Sequence, residues 1–412
     1  MPAFSAQGNT ISCDDLAHPA AAARFLRALH RVVVTMGYDA VRLDFAEAAS
    51  VYPNVLTPIA CAIQYYRDNH SVDFETSGLS PFLANTSFLS PQTPTAHRDA
   101  LNRVWRFTSS AEVQTVVTNI LHALEARTRF NPGVLNGIEW CLNEVMDNVI
   151  QHASGHPTPT TGYVMAEVHR ARVALCVCDA GRGLQRSLQT LNPPPRTDDS
   201  AIRRAVEEGV TRDTSIGQGN GLWGLRRIVH ENGGQLTIAS GTSALTWENG
   251  SEPSAESRRP FLAPDHKGTL VDFQIRARRS IDFTAIFPRG ATRFHQLSLE
   301  SREDTTGAIV FRLSEETSGI GTRQSGAAIR NRVLNACVDS DSLIAIDFRD
   351  VNIVSSSFAD ELIGKLVATL GFTAFSQRIR LRNMNAVTAG ITDRSVRQRI
   401  TSGLAAPTPR LS

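Results

Sequence analysis

Lysine is nearly absent from this 412-residue chain: Lys267 and Lys365 are the only two among 42 basic residues. Arginine therefore carries almost all of the positive charge, and lysine-dependent phosphate chemistry has very few candidates. Long apolar runs are also missing, so no segment reads as a membrane span. The start, Met1-Pro2-Ala3-Phe4-Ser5-Ala6-Gln7-Gly8, lacks the charged and apolar regions of a signal peptide. The six cysteines are scattered; Cys176 and Cys178 share one face of a strand, and no second pair completes a zinc site. They read as buried reduced thiols, and a cytoplasmic location is the expectation that follows from these absences. A net charge of +2 shows no excess of one sign, and the arginine pairs are too dispersed for a nucleic-acid surface.

What is present is a length that suggests about two to four domains and three short blocks in a telling order. The first is Asn143-Glu144-Val145-Met146-Asp147-Asn148-Val149-Ile150-Gln151-His152. Read as a helix, it places Glu144, Asn148 and His152 along one stripe, with Ile138, Leu142, Val145 and Val149 on the opposite, buried one. Glu144 can orient or deprotonate a nucleophile, and Asn148 offers an oxygen to a magnesium ion; an amphipathic helix with a polar edge fits the same residues.

The second block, Asp179-Ala180-Gly181-Arg182-Gly183, follows the apolar strand Val173–Cys178. Asp179 at the strand end can accept a hydrogen bond from a base amino group, or simply begin a turn. The third block, Gly217-Gln218-Gly219-Asn220-Gly221-Leu222-Trp223-Gly224-Leu225, runs into a helical pattern. Glycines before a helix start present free N–H groups and a positive dipole end to phosphates. No Gly-Lys-Ser/Thr follows, so this is not a Walker loop.

Together the blocks resemble the N, G1 and G2 boxes of the GHKL ATPases, the group of gyrase B, Hsp90, MutL, bacterial histidine kinases and anti-sigma-factor serine kinases. The resemblance covers about residues 110–280. It implies a Bergerat-type two-layer α/β sandwich binding ATP and Mg2+, with Glu144 as general base and Asn148 as magnesium ligand. It implies Asp179 as the adenine-binding acid, with Gly181 and Gly183 at the adenine end. Gly217, Gly219, Gly221, Leu222 and Gly224 fall on the hinge and phosphate side of an ATP lid. Thr269, in Gly268-Thr269-Leu270-Val271-Asp272-Phe273, falls on the family's final strand and helps hold adenine.

Two similar segments bracket this region: Val41-Arg42-Leu43-Asp44-Phe45 and Leu343-Ile344-Ala345-Ile346-Asp347-Phe348. Each is an alternating strand followed by an apolar helical stretch, 55–66 and 358–370, and then a further strand, 71–74 and 378–381. Both flanks read as small α/β units, giving expected domains at 1–97, 98–288 and 289–412. Residues 305–400 resemble the STAS domains of anti-anti-sigma factors, which implies Ser356 as a phosphoacceptor. The likeness departs from the pattern where Ser355 replaces the usual acid and Phe358 the usual glycine. Ser356 or Ser357 also suits a helix N-cap, and the two roles are compatible. The N-terminal copy has Pro53 at the aligned position and reads as structural or partner-binding.

Residues 76–97 read as a linker or long loop, 184–216 as the lid with a helix from Ser200 to Gly209, and 241–266 as a mobile excursion. The tail after Ser402 reads as disordered. His152 and His156 stand four apart, but Gly155 and Pro157 break the helix between them, which disfavours a metal site. Arg212, Arg226 and Arg227 lie near enough to the glycine loop to meet phosphates, or occupy a solvated helix face.

The leading functional expectation is an ATP-dependent regulatory protein that hydrolyses ATP or phosphorylates a serine, in its own STAS-like domain or in a protein partner. An ATP-gated switch or homodimeric clamp is the alternative. A histidine kinase using His122 and a nucleotide-binding pseudoenzyme are further readings.

Overall fold

The computed structural model describes residues 4–13, 16–17, 20–45, 51–93, 95, 100–152, 161–210, 221–248, 251–257, 268–286, 302–316 and 322–404. The chain divides into two compact units, Met1–Ile120 with Gly137–Ala291, and Leu121–Asn136 with Thr292–Ser412. The architecture is mixed α/β, as the sequence led us to expect.

The first unit holds two sheets. The smaller comprises β1 (Phe4–Gln7), β2 (Thr10–Cys13), β3 (Ala40–Phe45) and β4 (Asp73–Ser77), in that order. β2, β3 and β4 are parallel, joined by the helices Ala21–His30 and Pro53–His70. On β3 the alternation is strict: Val41, Leu43 and Phe45 are buried while Ala40, Arg42 and Asp44 face out. The crossover helix opens with Pro53 in its first turn, where the missing N–H costs nothing.

The larger sheet has seven strands in the order β10-β9-β8-β11-β7-β6-β5. They are β5 (Trp105–Phe107), β6 (Gly162–His169), β7 (Arg172–Asp179), β8 (Gln235–Ser240), β9 (Ser243–Glu248), β10 (Ser254–Ser257) and β11 (Thr269–Arg276). β11 lies antiparallel between β7 and β8, pairing Thr269 with both Asp179 and Ser240. Three strand ends thus converge on one edge, and Asp179 stands there. One face of the sheet is covered by the helix Pro53–His70: Tyr163, Met165, Cys176 and Cys178 share a core with Val55, Ile59 and Ile63.

The second unit is built on a parallel sheet, β12 (Ile309–Arg312), β13 (Ile344–Asp347) and β14 (Ile379–Arg382). The helix Arg323–Asp339 joins the first two strands and helical turns over 356–378 join the last two. Ile309, Phe311, Ile346, Phe358 and Leu362 form its core. The connectivity strand–helix–strand–helix–strand repeats that of β2 to β4, so the resemblance between the flanks extends one strand further than the sequence segments indicated.

Four readings change. Residues 243–248 and 254–257 are strands β9 and β10, not a mobile excursion. Their inner residues Ala244 and Leu245 are buried, while Ser243, Thr246 and Glu248 supply the polar content that reads as loop. Within the segment 76–97, residues 78–93 are a packed connection: Ser80 caps a short helix Pro81–Asn85, and Leu83 and Phe88 are buried. The lid helix is Asp198–Ala205, started by a Thr197–Ser200 capping box, rather than beginning at Ser200. Asp198 is buried and accepts the Thr242 N–H and hydroxyl, both at 2.9 Å, so this part of the segment is tied to the β8–β9 turn. Finally, Ser355, not Ser356 or Ser357, caps the helical turn beginning at Ser356, accepting the Phe358 N–H at 3.0 Å.

Candidate functional site

The helix Val134–His152 carries the first part of the site. Ile138, Leu142, Val145 and Val149 are buried as the 3.6-residue spacing requires, and Glu144 and Asn148 are half-buried on the other stripe. Burial pushes the Glu144 carboxyl above its usual range, and the nearby Asp147 pushes it further. Asp147 is itself raised by burial. The block's spelling contains Asp147, but a helical wheel alone gave it no role.

The helix Gly221–Glu231 begins directly against this pair. A Cβ on Gly221 would stand 2.6 Å from Glu144 Oε2 and 3.6 Å from Asn148 Nδ2. Only glycine lets the helix start approach the carboxylate this closely, so the first and third sequence blocks meet in space. Gly224 and Leu225 are buried on the same helix, and Leu222 is half-buried. Arg227 lies over the ring of Trp223, 5.8 Å from its centroid, and so stacks along its own helix. Gly217, Gly219 and Arg212 lie outside the described residues, as does His156; His152 ends its helix, and its side chain is likewise not described.

The second part is the convergence of strand ends around Asp179, which is 3% exposed. Its Oδ1 accepts the Gly181 N–H at 2.7 Å. Burial raises its pKa to about 7, opposed by hydrogen bonds from the Gly181 and Thr269 backbone N–H groups. The neighbouring turn is fastened too: Gly268 N–H donates to the Gly181 carbonyl at 3.0 Å. Buried Ser240 donates to the Gly268 carbonyl at 3.0 Å and accepts the Leu184 N–H at 2.8 Å. Gly183 opens the short helix Gly183–Ser187 at φ +73°, a conformation that glycine adopts without strain. Ser240 escaped the sequence reading; its only signal was its position before a glycine at the end of an apolar strand.

These residues have the chemistry that a magnesium nucleotide needs. The Asn148 carboxamide oxygen is a hard donor suited to magnesium. Next to it stands the start of the helix Gly221–Glu231, where the missing Cβ of Gly221 lets the backbone approach Glu144. Asp179 is a buried acceptor able to read an exocyclic amine. Among the described residues no cluster of three or more His, Cys, Asp or Glu side chains could hold a metal ion. No described helix is long and apolar enough to cross a membrane.

In the second unit, Ser356 is exposed and takes no part in the cap. His122 is half-buried and hydrogen-bonded to Arg302 at 3.0 Å. Burial, with Arg332 and Arg302 beside it, depresses its pKa to about 3. It belongs to an ionic cluster in which Arg332 pairs with Glu125 and Glu316.

No curated protein matches the chain. Among solved structures, the 43K ATPase domain of Thermus thermophilus gyrase B in complex with an aminocoumarin aligns at 17% identity and a TM-score of 0.22. The alignment covers 47% of this chain and 46% of that one, so it spans about half of each. Residues 325–389 match a family described as a STAS-like domain of unknown function (DUF4325). They take in β13 and β14 with the helices before and between them, and this part of the chain is therefore a STAS-like domain.

Proposed function

We propose that the first unit binds ATP with magnesium in the manner of a GHKL ATPase and promotes transfer of the γ-phosphoryl group to a hydroxyl, of water or of a serine. The observation that supports the reading is the approach of Gly221 to Glu144 and Asn148, which brings a carboxylate, a carboxamide and a helix N-terminus together. Asp179 accepts from the adenine amino group, with Thr269 beside it on the adjacent strand. The N–H groups at the start of the helix Gly221–Glu231 bind phosphate oxygens. Asn148 would hold magnesium, which when bound would neutralise charge at the phosphates.

Glu144 takes the proton of the attacking hydroxyl as its oxygen bonds to the γ-phosphorus; the bond to the β-phosphate oxygen breaks and ADP leaves. Its raised pKa brings the carboxylate nearer to a hydroxyl in basicity. Ser356 is the acceptor that the STAS-like domain offers, in this chain or in a second copy. Its exposure favours it over His122, whose ring is engaged by Arg302.

The test is mass spectrometry of the full chain after incubation with magnesium and ATP. ADP release with phosphate on Ser356 supports the kinase form, and ADP release without phosphoserine supports a hydrolytic switch. Turnover that survives Glu144→Ala would defeat the assignment of the base.

A further inference from the structure

The face of the seven-stranded sheet that carries the helix Pro53–His70 is apolar along β6 and β7 but polar further out. The register aligns Cys176, Asp272, Thr237 and Thr246 in one row across β7, β11, β8 and β9. An antiparallel sheet ordinarily turns such a polar row to water. Here Asp272, Thr237 and Thr246 of that row floor a cavity of about 1220 Å³, roofed by the helix Ala21–His30 and the first turns of Pro53–His70. The roof is mixed: Ala23, Leu26 and Pro58 give it an apolar stretch, and Arg27, His30 and Asn54 line it as well.

Asp272 is 4% exposed in this floor. Its hydrogen-bond partner is Asn54, whose Nδ2 donates to Oδ2 over a long 3.4 Å. The Thr237 and Thr246 hydroxyls are 2.9 Å apart and bond to each other. Burial raises the Asp272 carboxyl to about 7. Pro58 also lines the cavity, and it has no N–H to give to the carbonyl of Asn54, four residues earlier in the helix. The cavity thus joins a buried carboxylate with one long hydrogen bond to the apolar side chains of Ala23, Leu26 and Pro58. A buried polar group left short of donors is costly, and a ligand that brings several N–H groups removes that cost.

We propose that this cavity binds a small organic amine, its ammonium group hydrogen-bonded to Asp272 and its hydrocarbon body packed under Ala23, Leu26 and Pro58. Ser240, at the strand ends beside Asp179, also lines this cavity, but the proposal does not rest on the function proposed above. Isothermal titration of the full chain, without nucleotide, with putrescine, spermidine and agmatine tests it. At least one amine binds with Kd below about 1 mM, and Asp272→Asn weakens it by about tenfold or more. Ala23→Phe keeps the carboxylate but fills the space, and abolishes binding in a chain whose circular dichroism is unchanged. This second variant decides the matter if Asp272→Asn does not fold. The neutral analogue 1,4-butanediol gives no heat. Silence from all three amines, equal binding of the diol, or binding indifferent to the variants would overturn the proposal.

Discussion

Gly221→Ala separates the stability of the site from its chemistry. The added Cβ would lie 2.6 Å from Glu144 Oε2. A carbon and an oxygen settle at about 3.3–3.6 Å, so the carboxylate must retreat by roughly 0.7–1 Å. A misplacement of about 1 Å costs on the order of 10²-fold in rate, equivalent to about 2.7 kcal/mol of barrier. The obstructing atom is the end of a flexible, half-buried side chain, so the fold itself pays little. The backbone of Gly221 is not in the left-handed region, and alanine restricts the unfolded chain by up to about 1 kcal/mol. Expected, then, are a Tm equal to or slightly above that of the parent and ADP release slowed about 100-fold. Steady-state ADP release and thermal melting, measured on the same preparation, check this. A variant that turns over ATP within twofold of the parent would refute the claim that the helix start and Glu144 share one reacting centre.

Glu144, pushed upward by burial and Asp147, must be ionised to act. Turnover should therefore rise with pH through a limb above the ordinary glutamate range, and a limb at the ordinary position would contradict the burial argument. Asp179 acts on stability with the opposite slope. Its folded pKa of about 7 stands above the model-peptide 3.8, so between those values the folded chain keeps a proton that the unfolded chain releases. Stability falls as pH rises across that window, by on the order of 4 kcal/mol for this group. Asp179→Asn should flatten that part of the slope in urea titrations; Asp272 and Asp339, also near 7, contribute with the same sign. In the STAS-like domain, Ser355→Ala should cost about 1 kcal/mol by removing the cap. Ser356→Ala should leave the melting temperature unchanged while removing the phosphoserine seen by mass spectrometry.

The site was legible where a pattern had one physical cause. Alternating stripes of Val145 and Val149 against Glu144 and Asn148 admit only a helix with one buried face, and the helix is there. The apolar run 173–178 ending in Asp179 is strand β7, with its acid buried at the end. The parallel strand–helix–strand flanks were visible because β3 and β13 carry apolar residues bounded by charged loops. Strands β9 and β10 were not, because they are rich in Ser, Thr and Glu, which read as loop when the partner strand is unknown. Ser240 was hidden for a related reason: its role comes from Leu184 and Gly268, distant in sequence and joined only by the sheet register. The cap at Ser355 instead of Ser356 or Ser357 reflects the ambiguity of three consecutive serines, which backbone geometry alone resolves.

The central claim, that Glu144, Asn148, Gly221 and Asp179 enclose a magnesium nucleotide, is tested most directly by calorimetric titration of the full chain with ATP in the presence of Mg2+. The account predicts saturable binding at one site per chain, weakened by Asp179→Ala and dependent on the metal through Asn148. Absence of any heat of binding from ATP or ADP, with and without Mg2+, in protein that melts cooperatively would contradict it.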